Sequence, residues 1–177
     1  MSEMDFYQLG VSASTIEIPL TQGKTALIDV EDYELVSQYK WHTKEDDDRL
    51  YALHTINLSN GRVTGISMHR LILNAKNGEK VDHINGNGLN NRRCNLRIVT
   101  DSQNSMNRRK YKNSTSKYKG VSWYKRYNKW LSCIESNKKN LTLGYFLKEE
   151  DAARAYDKKA KELFGEYARL NFPLEMK

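Results

Sequence analysis

The sequence predicts an α+β protein: a small strand-rich N-terminal sheet region, a strand–loop–strand–helix core, and a three-stranded antiparallel sheet packed on one helix. Three observations predict it. Between residues 15 and 67 apolar and polar residues alternate with period two, as half-buried strands require. Residues 80–106 place two short apolar runs on either side of a loop rich in Gly and Asn, with a capped helical pattern after them. In residues 147–164 the period changes to three and four, behind three further strand-like runs.

Taken in order, TIEIPL, TALID, YALHTINL and VTGISM read as strands. DVEDYELVSQY opens on acids and has helical spacing, which predicts one short helix. KWHTKEDDDRLY is a strand running into an acidic turn, and Ser59–Arg62 is a hairpin turn in which Asn60 and Gly61 tolerate positive φ. MHRLIL is an apolar run. KVDHI and NLRIV are short strands flanking the asparagine-rich loop. Thr100 is the predicted N-cap of the next helix, with Gln103 completing a capping box. KYKNSTSK is polar and basic and reads as a linker. YKGVSWYK, KWLSCIES and LTLGYF are three strands separated by turns. KEEDAARAYDKKAKELF is an amphipathic helix with acids leading and lysines following, ended by Gly165.

Composition excludes several classes. No stretch of the 177 residues has the roughly 20 consecutive apolar residues of a membrane span. MSEMDFYQLG carries acids where a secretory signal carries lysines, which predicts a protein that stays in the cytoplasm. Cys94 and Cys133 stand far apart, so neither a disulfide framework nor a zinc knuckle is expected. Charge is unevenly spread: residues 1–80 hold 8 Lys and Arg against 12 Asp and Glu, residues 81–117 hold 8 against 2, and residues 118–177 hold 13 against 8. A basic excess beginning at residue 81 predicts a polyanionic partner, because Lys and Arg displace counterions from phosphates.

The stretch VDHINGNGLNNRRCNLRIVTDSQN carries the chemistry. Phosphodiester hydrolysis needs a hard cation on the phosphate and a base for water. Asp82 supplies a carboxylate oxygen suited to magnesium or manganese. His83 supplies an imidazole suited to act as general base near neutral pH. The amide oxygen of Asn104 would complete the protein ligands, and Asn95 would hold the His83 ring. Turn residues alone explain an isolated Asp-His pair; the ordered set HRL, VDHINGN, NNRRCNLR and QN is far more specific.

That set, over residues 68–104, resembles the HNH nucleases, whose ββα-metal core occurs in phage and intron-encoded homing endonucleases. The resemblance implies Asp82 and Asn104 as ligands of one divalent ion per site, Mg2+ or Mn2+, with His83 as general base and Asn95 as the residue orienting it. The third letter of the family name is filled here by Asn104 rather than histidine, a variant that several members share. His69 is expected to be either a packing residue or one near the scissile phosphate; His42 and His54 read as structural. Arg92, Arg93, Arg97, Arg108 and Arg109 are expected on DNA.

Residues 118–173 are similar to the ethylene-response-factor (APETALA-type) DNA-binding domain, through YKGV at 118–121, Trp130, LGYF at 143–146 and LNFP at 170–173. The likeness implies a sheet lying in the major groove of double-stranded DNA. Lys119 falls on a family arginine; Trp123, Lys125, Arg126, Lys129 and Trp130 are the further candidates on the groove or phosphate side, Trp130 being equally a core residue. Ser122, Tyr124 and Glu135 stand where plant members commonly carry arginines, so their sequence preference does not carry over.

The expected organisation is a strand-rich region at 1–67, a nuclease core at 68–110, a basic linker at 111–117 and a DNA-binding domain at 118–177. The expected function is site-specific, metal-dependent DNA cleavage of the homing type, by nicking if one chain acts alone, since one site cuts one strand. The sequence leaves monomer and homodimer open. The alternative is a non-catalytic DNA-binding regulator on a decayed nuclease scaffold, against which the intact Asp82, His83, Asn95 and Asn104 weigh.

Overall fold

A computed structural model describes residues 15–46, 49–110, 113–136 and 138–173. The first fourteen residues, including the acid-bearing N-terminal segment, the tip of the acidic turn at 47–48, part of the basic linker at 111–112, Asn137 and the last four residues lie outside the described residues. The chain divides into two compact units, with the boundary between Val99 and Thr100. The architecture is α+β, as the alternation of periods predicts. No helix among the described residues is long and apolar enough to cross a membrane.

In the first unit, β1 (Thr15–Pro19) and β2 (Thr25–Asp29) form an antiparallel hairpin. A 3-10 turn, Val30–Asp32, runs into the short helix α1 (Tyr33–Ser37), so the acid-led helical pattern is split in two. β3 (His42–Asp46), β4 (Arg49–Asn57) and β5 (Val63–Ser67) make a three-stranded meander. Its second turn is closed where Gly61 donates to the carbonyl of Leu58 with a φ of 76°. The run MHRLIL becomes a single helical turn, α2 (Met68–Ile72). Met68 and Ile72, four residues apart, point into the core at 0% and 2% exposure, and that spacing leaves His69 on another side of the turn.

β6 (Lys80–His83) and β7 (Leu96–Val99) pair antiparallel, Asp82 opposite Arg97 and His83 opposite Leu96. One core serves the unit: Ile18, Ala26, Ile28, Val36, Trp41, Ala52, Met68, Ile72 and Leu96 are buried together. The loop joining β6 to β7 is anchored to β2, where the Leu27 amide donates to the carbonyl of Leu89 and the Asn91 amide donates to the carbonyl of Leu27, at 2.8 and 2.7 Å. It also lies on β4: a Cβ at Gly88 would run into the Leu50 carbonyl oxygen and stand 2.7 Å from the Tyr51 ring, so only glycine fits.

In the second unit, α3 (Asp101–Met106) begins at the predicted capping box, with the Gln103 amide donating to the Thr100 hydroxyl and the Thr100 amide donating to the Gln103 side chain. β8 (Val121–Tyr124), β9 (Lys129–Ser136) and β10 (Lys139–Phe146) form a sheet in the order β10-β9-β8, covered by α4 (Glu149–Phe164). Val121, Ala152 and Ala153 pack with Trp130, Phe146 and Phe172; Ile134, Tyr156 and Ala160 pack with Leu143, Phe164 and Leu170. Gly120 has a φ of +75°, and a Cβ there would run into the Tyr156 ring.

Candidate active site and nucleic-acid interface

Asp82 and His83 are consecutive at the end of β6, so their side chains leave on opposite faces of the ladder. Both are buried, at 4% and 5% exposure. On its face Asp82 accepts from Arg97 Nε and Nη2, at 3.1 and 2.9 Å, both on Oδ2. On the other face the His83 ring meets His69 edge-on, with centroids 5.0 Å apart, and Tyr51 at 5.9 Å. His69 and Tyr51 are themselves 5.8 Å apart, so three rings from β4, α2 and β6 form one cluster.

The partner of the His83 ring is Asn91, not Asn95. His83 Nε2 lies 3.2 Å from Asn91 Oδ1, a side-chain hydrogen bond between two buried groups. Asn95 is directed at the loop instead: its Oδ1 accepts from the Asn85 amide at 3.0 Å and its Nδ2 donates to the Asn90 carbonyl at 2.7 Å. The correction has a simple cause. Asn95 sits in a 3-10 turn just before β7, where the loop backbone needs both a donor and an acceptor, while Asn91 is drawn into the interior by its amide bond to Leu27. The remaining asparagines make local turns, Asn85 Oδ1 accepting from the Asn87 amide and Asn87 Oδ1 from the Leu89 amide.

Burial lowers the proton affinity of both histidines. His69 falls to about 3, through desolvation first and then the neighbouring His83 and Arg70. His83 is lowered by desolvation, with its hydrogen bond to Asn91 and the Asp82 charge opposing and Arg49 adding to the decrease. Both rings are therefore neutral at physiological pH, and His83 is in the form that takes a proton.

Residues 67–106 match the HNH endonuclease family. An uncharacterized HNH endonuclease of Acanthamoeba polyphaga mimivirus is 31% identical over 156 residues, covering 85% of this chain and 76% of that protein. The chain is an HNH endonuclease. Protein 3.8 of Escherichia phage T7 is 35% identical over 92 residues, 52% of this chain and 75% of its own length. No solved structure matches the chain.

An HNH endonuclease acts on nucleic acid and generally with a divalent metal. The donor types present fit such an ion. Asp82, held against the Arg97 guanidinium as a buried ion pair, offers a hard carboxylate oxygen in the first unit, and Asn104 on α3 offers a hard carboxamide oxygen in the second. Among the described residues no three His, Cys, Asp or Glu side chains gather into a metal cage. One or two protein oxygens, with the remaining positions left to water and phosphate, is the usual arrangement for magnesium.

Several of the arginines of this HNH endonuclease expected on DNA have partners within the protein. Arg97 is 13% exposed and bound to Asp82. Arg93 donates Nε and Nη2 to Asp32, and its amide donates to Asp29, fastening the loop to the N-terminal hairpin region. Arg92 donates Nε to Asn90. Arg108 and Arg109 follow α3 and are exposed.

In the second unit Lys119 is half-buried; its ammonium donates to the Met106 carbonyl at 2.6 Å and lies 5.9 Å from the Tyr156 ring centroid. Trp123 and Trp130 pair across β8 and β9 with rings 5.1 Å apart; Trp130 packs against Val121, Ala152 and Ala153, while Trp123 is exposed. Strand alternation puts both on the same face as the buried Val121 and Ser132, and Trp130 takes the core place that the sequence left open for it. The open face presents Tyr124, Tyr127 and Tyr145, mutually 4.9–5.3 Å apart, beside Lys125, Arg126 and Lys129. Arg126 lies over the Tyr127 ring at 5.8 Å. Asn91 and this tyrosine cluster were not legible as site residues: amides in a turn and tyrosines on a strand carry no positional signature.

Proposed function

We propose that the protein is a site-specific, metal-dependent DNA endonuclease of the homing type, cutting one strand per site and so nicking when it acts as a monomer. The observation that carries the catalytic reading is the buried His83, one residue from Asp82, with its Nε2 held by Asn91 and its proton affinity lowered by burial. In this reading His83 takes the proton of the water whose oxygen attacks phosphorus, and the strand is released as the bond from phosphorus to its leaving oxygen breaks. Asn91 orients the base directly, and Asn95 acts through the loop. Asp82 and Asn104 would hold Mg2+ or Mn2+, which when bound supplies positive charge to the phosphate as negative charge develops.

The C-terminal unit fits the role of holding double-stranded DNA. Three antiparallel strands backed by one helix leave an open face whose tyrosines are flanked by Lys125, Arg126 and Lys129, a composition suited to sugar, base-edge and phosphate contacts. The ethylene-response-factor likeness is part of this proposal.

A plasmid cleavage assay tests it, run with magnesium, with manganese and with a chelator, beside His83→Ala. The expected result is metal-dependent nicking or linearisation that the variant loses while duplex affinity stays within about twofold, because a base acts after binding. Cleavage by His83→Ala at the parent rate would remove His83 from the mechanism. Undiminished cleavage in chelator would remove the metal.

A further inference from the structure

The second unit contains a pocket of about 460 Å3 whose wall carries Arg109, Lys110, Lys117, Lys119 and Arg169 beside Tyr118. Five cationic side chains around one cavity make a concentrated positive field, which an anion among them would relieve. Acids stand near as well. Glu149 accepts from the Lys117 amide at 3.2 Å. Asp157 is 1% exposed, and its carboxylate accepts from the amides of Asn171 and Phe172 and from the Asn171 side chain. Glu150 reaches Lys117 at 3.6 Å across solvent. The crowding is felt inside the pocket: Lys119 is pushed down to about 8, by burial first and then by the Arg169 charge, against the pull of Asp157.

The pocket is also rigidly built. Asn171 accepts from the Lys119 amide at 2.8 Å and donates to the Lys119 carbonyl at 3.1 Å, so the segment carrying Arg169 is tied to the start of the sheet. The same amide rests on the buried Asp157 of α4. Cations held on fixed backbone lose less freedom on binding an anion than lysines on a loose tail. The aromatic wall adds a surface for a sugar or base, with Lys117 lying 5.0 Å from the Tyr118 ring centroid.

We propose that this pocket binds phosphates of the nucleic-acid backbone, as a second anchoring site separate from the open face of the sheet. It rests on the nucleic-acid reading of the proposed function and extends it: Lys110, Lys117 and Arg169 join Arg109 and Lys119 as phosphate-contacting residues. Two adjacent phosphates of one strand, or the phosphates of a free nucleotide, present the same chemistry, and the test separates them.

The experiment uses the full chain and a fluorescent DNA duplex, with affinity measured across a sodium chloride series. Lys110→Gln with Arg169→Gln is compared with Lys148→Gln with Lys158→Gln, which removes the same charge from exposed positions at and along α4. The pocket pair is expected to weaken binding about tenfold and to lower the salt slope by about 1 to 2, roughly one for each phosphate no longer neutralised, with the control pair changing the slope by less than half as much. Equal slopes in the two pairs would overturn the proposal, since net charge alone would then explain the weakening. A pocket pair that binds duplex as the parent does, but no longer binds inorganic pyrophosphate that the parent binds, would overturn it in favour of a free-nucleotide site. Matching circular-dichroism melts establish that the variants are folded. A parent protein that binds no duplex at low salt would sink the DNA-endonuclease reading itself, a result distinct from any of these.

Discussion

Arg97 stands directly opposite Asp82 across the β6–β7 ladder and places two N–H groups on one oxygen of its carboxylate. Asp82 is the residue expected to face a metal, and its charge is already compensated inside the protein. Such a pair fixes the direction of the carboxylate.

Removing the guanidinium alone strands a buried charge. Arg97→Met is expected to cost about 3–5 kcal/mol, and Asp82→Asn added to it should recover much of that loss. Urea unfolding followed by the fluorescence of Trp41, the tryptophan of the first unit, measures both. A single variant as stable as the parent would show that the pair is not the buried contact described.

Asn91 and Asn95 have different partners, and substituting each should separate orientation of His83 from support of the loop. Asn91→Ala removes the acceptor that favours the imidazolium form of His83, so the His83 pKa falls and the acid limb of the kcat profile moves to lower pH. About a 10- to 100-fold loss in kcat is expected, with binding little changed. Asn95→Ala instead releases two loop hydrogen bonds and should lower the melting temperature. Identical pH profiles for the parent and Asn91→Ala would return the orienting role to another residue.

Acid should loosen the first unit. His69 titrates near 3 when folded and near 6.5 when free, so the unfolded chain binds the extra proton first. Its contribution is fully present above about pH 6.5 and is lost as pH falls towards 3, and His83 acts in the same direction. Urea midpoints measured by Trp41 fluorescence between pH 7 and 4 should fall more steeply in the parent than in His69→Phe.

Gly120→Ala tests the second unit alone. A methyl group at a φ of +75°, driven into the Tyr156 ring, should cost about 2–4 kcal/mol and weaken duplex binding through unfolding. Fluorescence of Trp123 and Trp130 reports the transition. Unchanged stability would mean that Tyr156 can swing aside.

Much of this was legible in the sequence because the signals were local. The capping box at Thr100 and Gln103, the hairpin at Gly61, and the helix from Glu149 to Gly165 are each specified by residues within one or two turns of the chain. Pairing of the strands around VDHINGN was equally readable. What escaped depended on distant contacts. His69 reaches His83 only because Met68 and Ile72 turn MHRLIL into a helix against the core. Asn91, rather than Asn95, meets His83 because Leu27, more than sixty residues earlier, holds its amide. That Trp130 packs in the core while Trp123 stays exposed was not readable, because a strand's alternation gives two faces without saying which one the helix will cover.

The grip of β2 and β4 on the β6–β7 loop has a consequence for how such a gene can be rearranged. Residues 67–106 are the portion that matches the family, yet their loop is supported by Leu27, Asp32 and Tyr51. A fragment cut at Met68 would carry Asp82 and His83 without the floor they stand on. Grafting the nuclease onto another host protein therefore needs a junction upstream of Thr15, and a chimaera joined inside the β3–β5 meander should reach the cell as an unfolded chain.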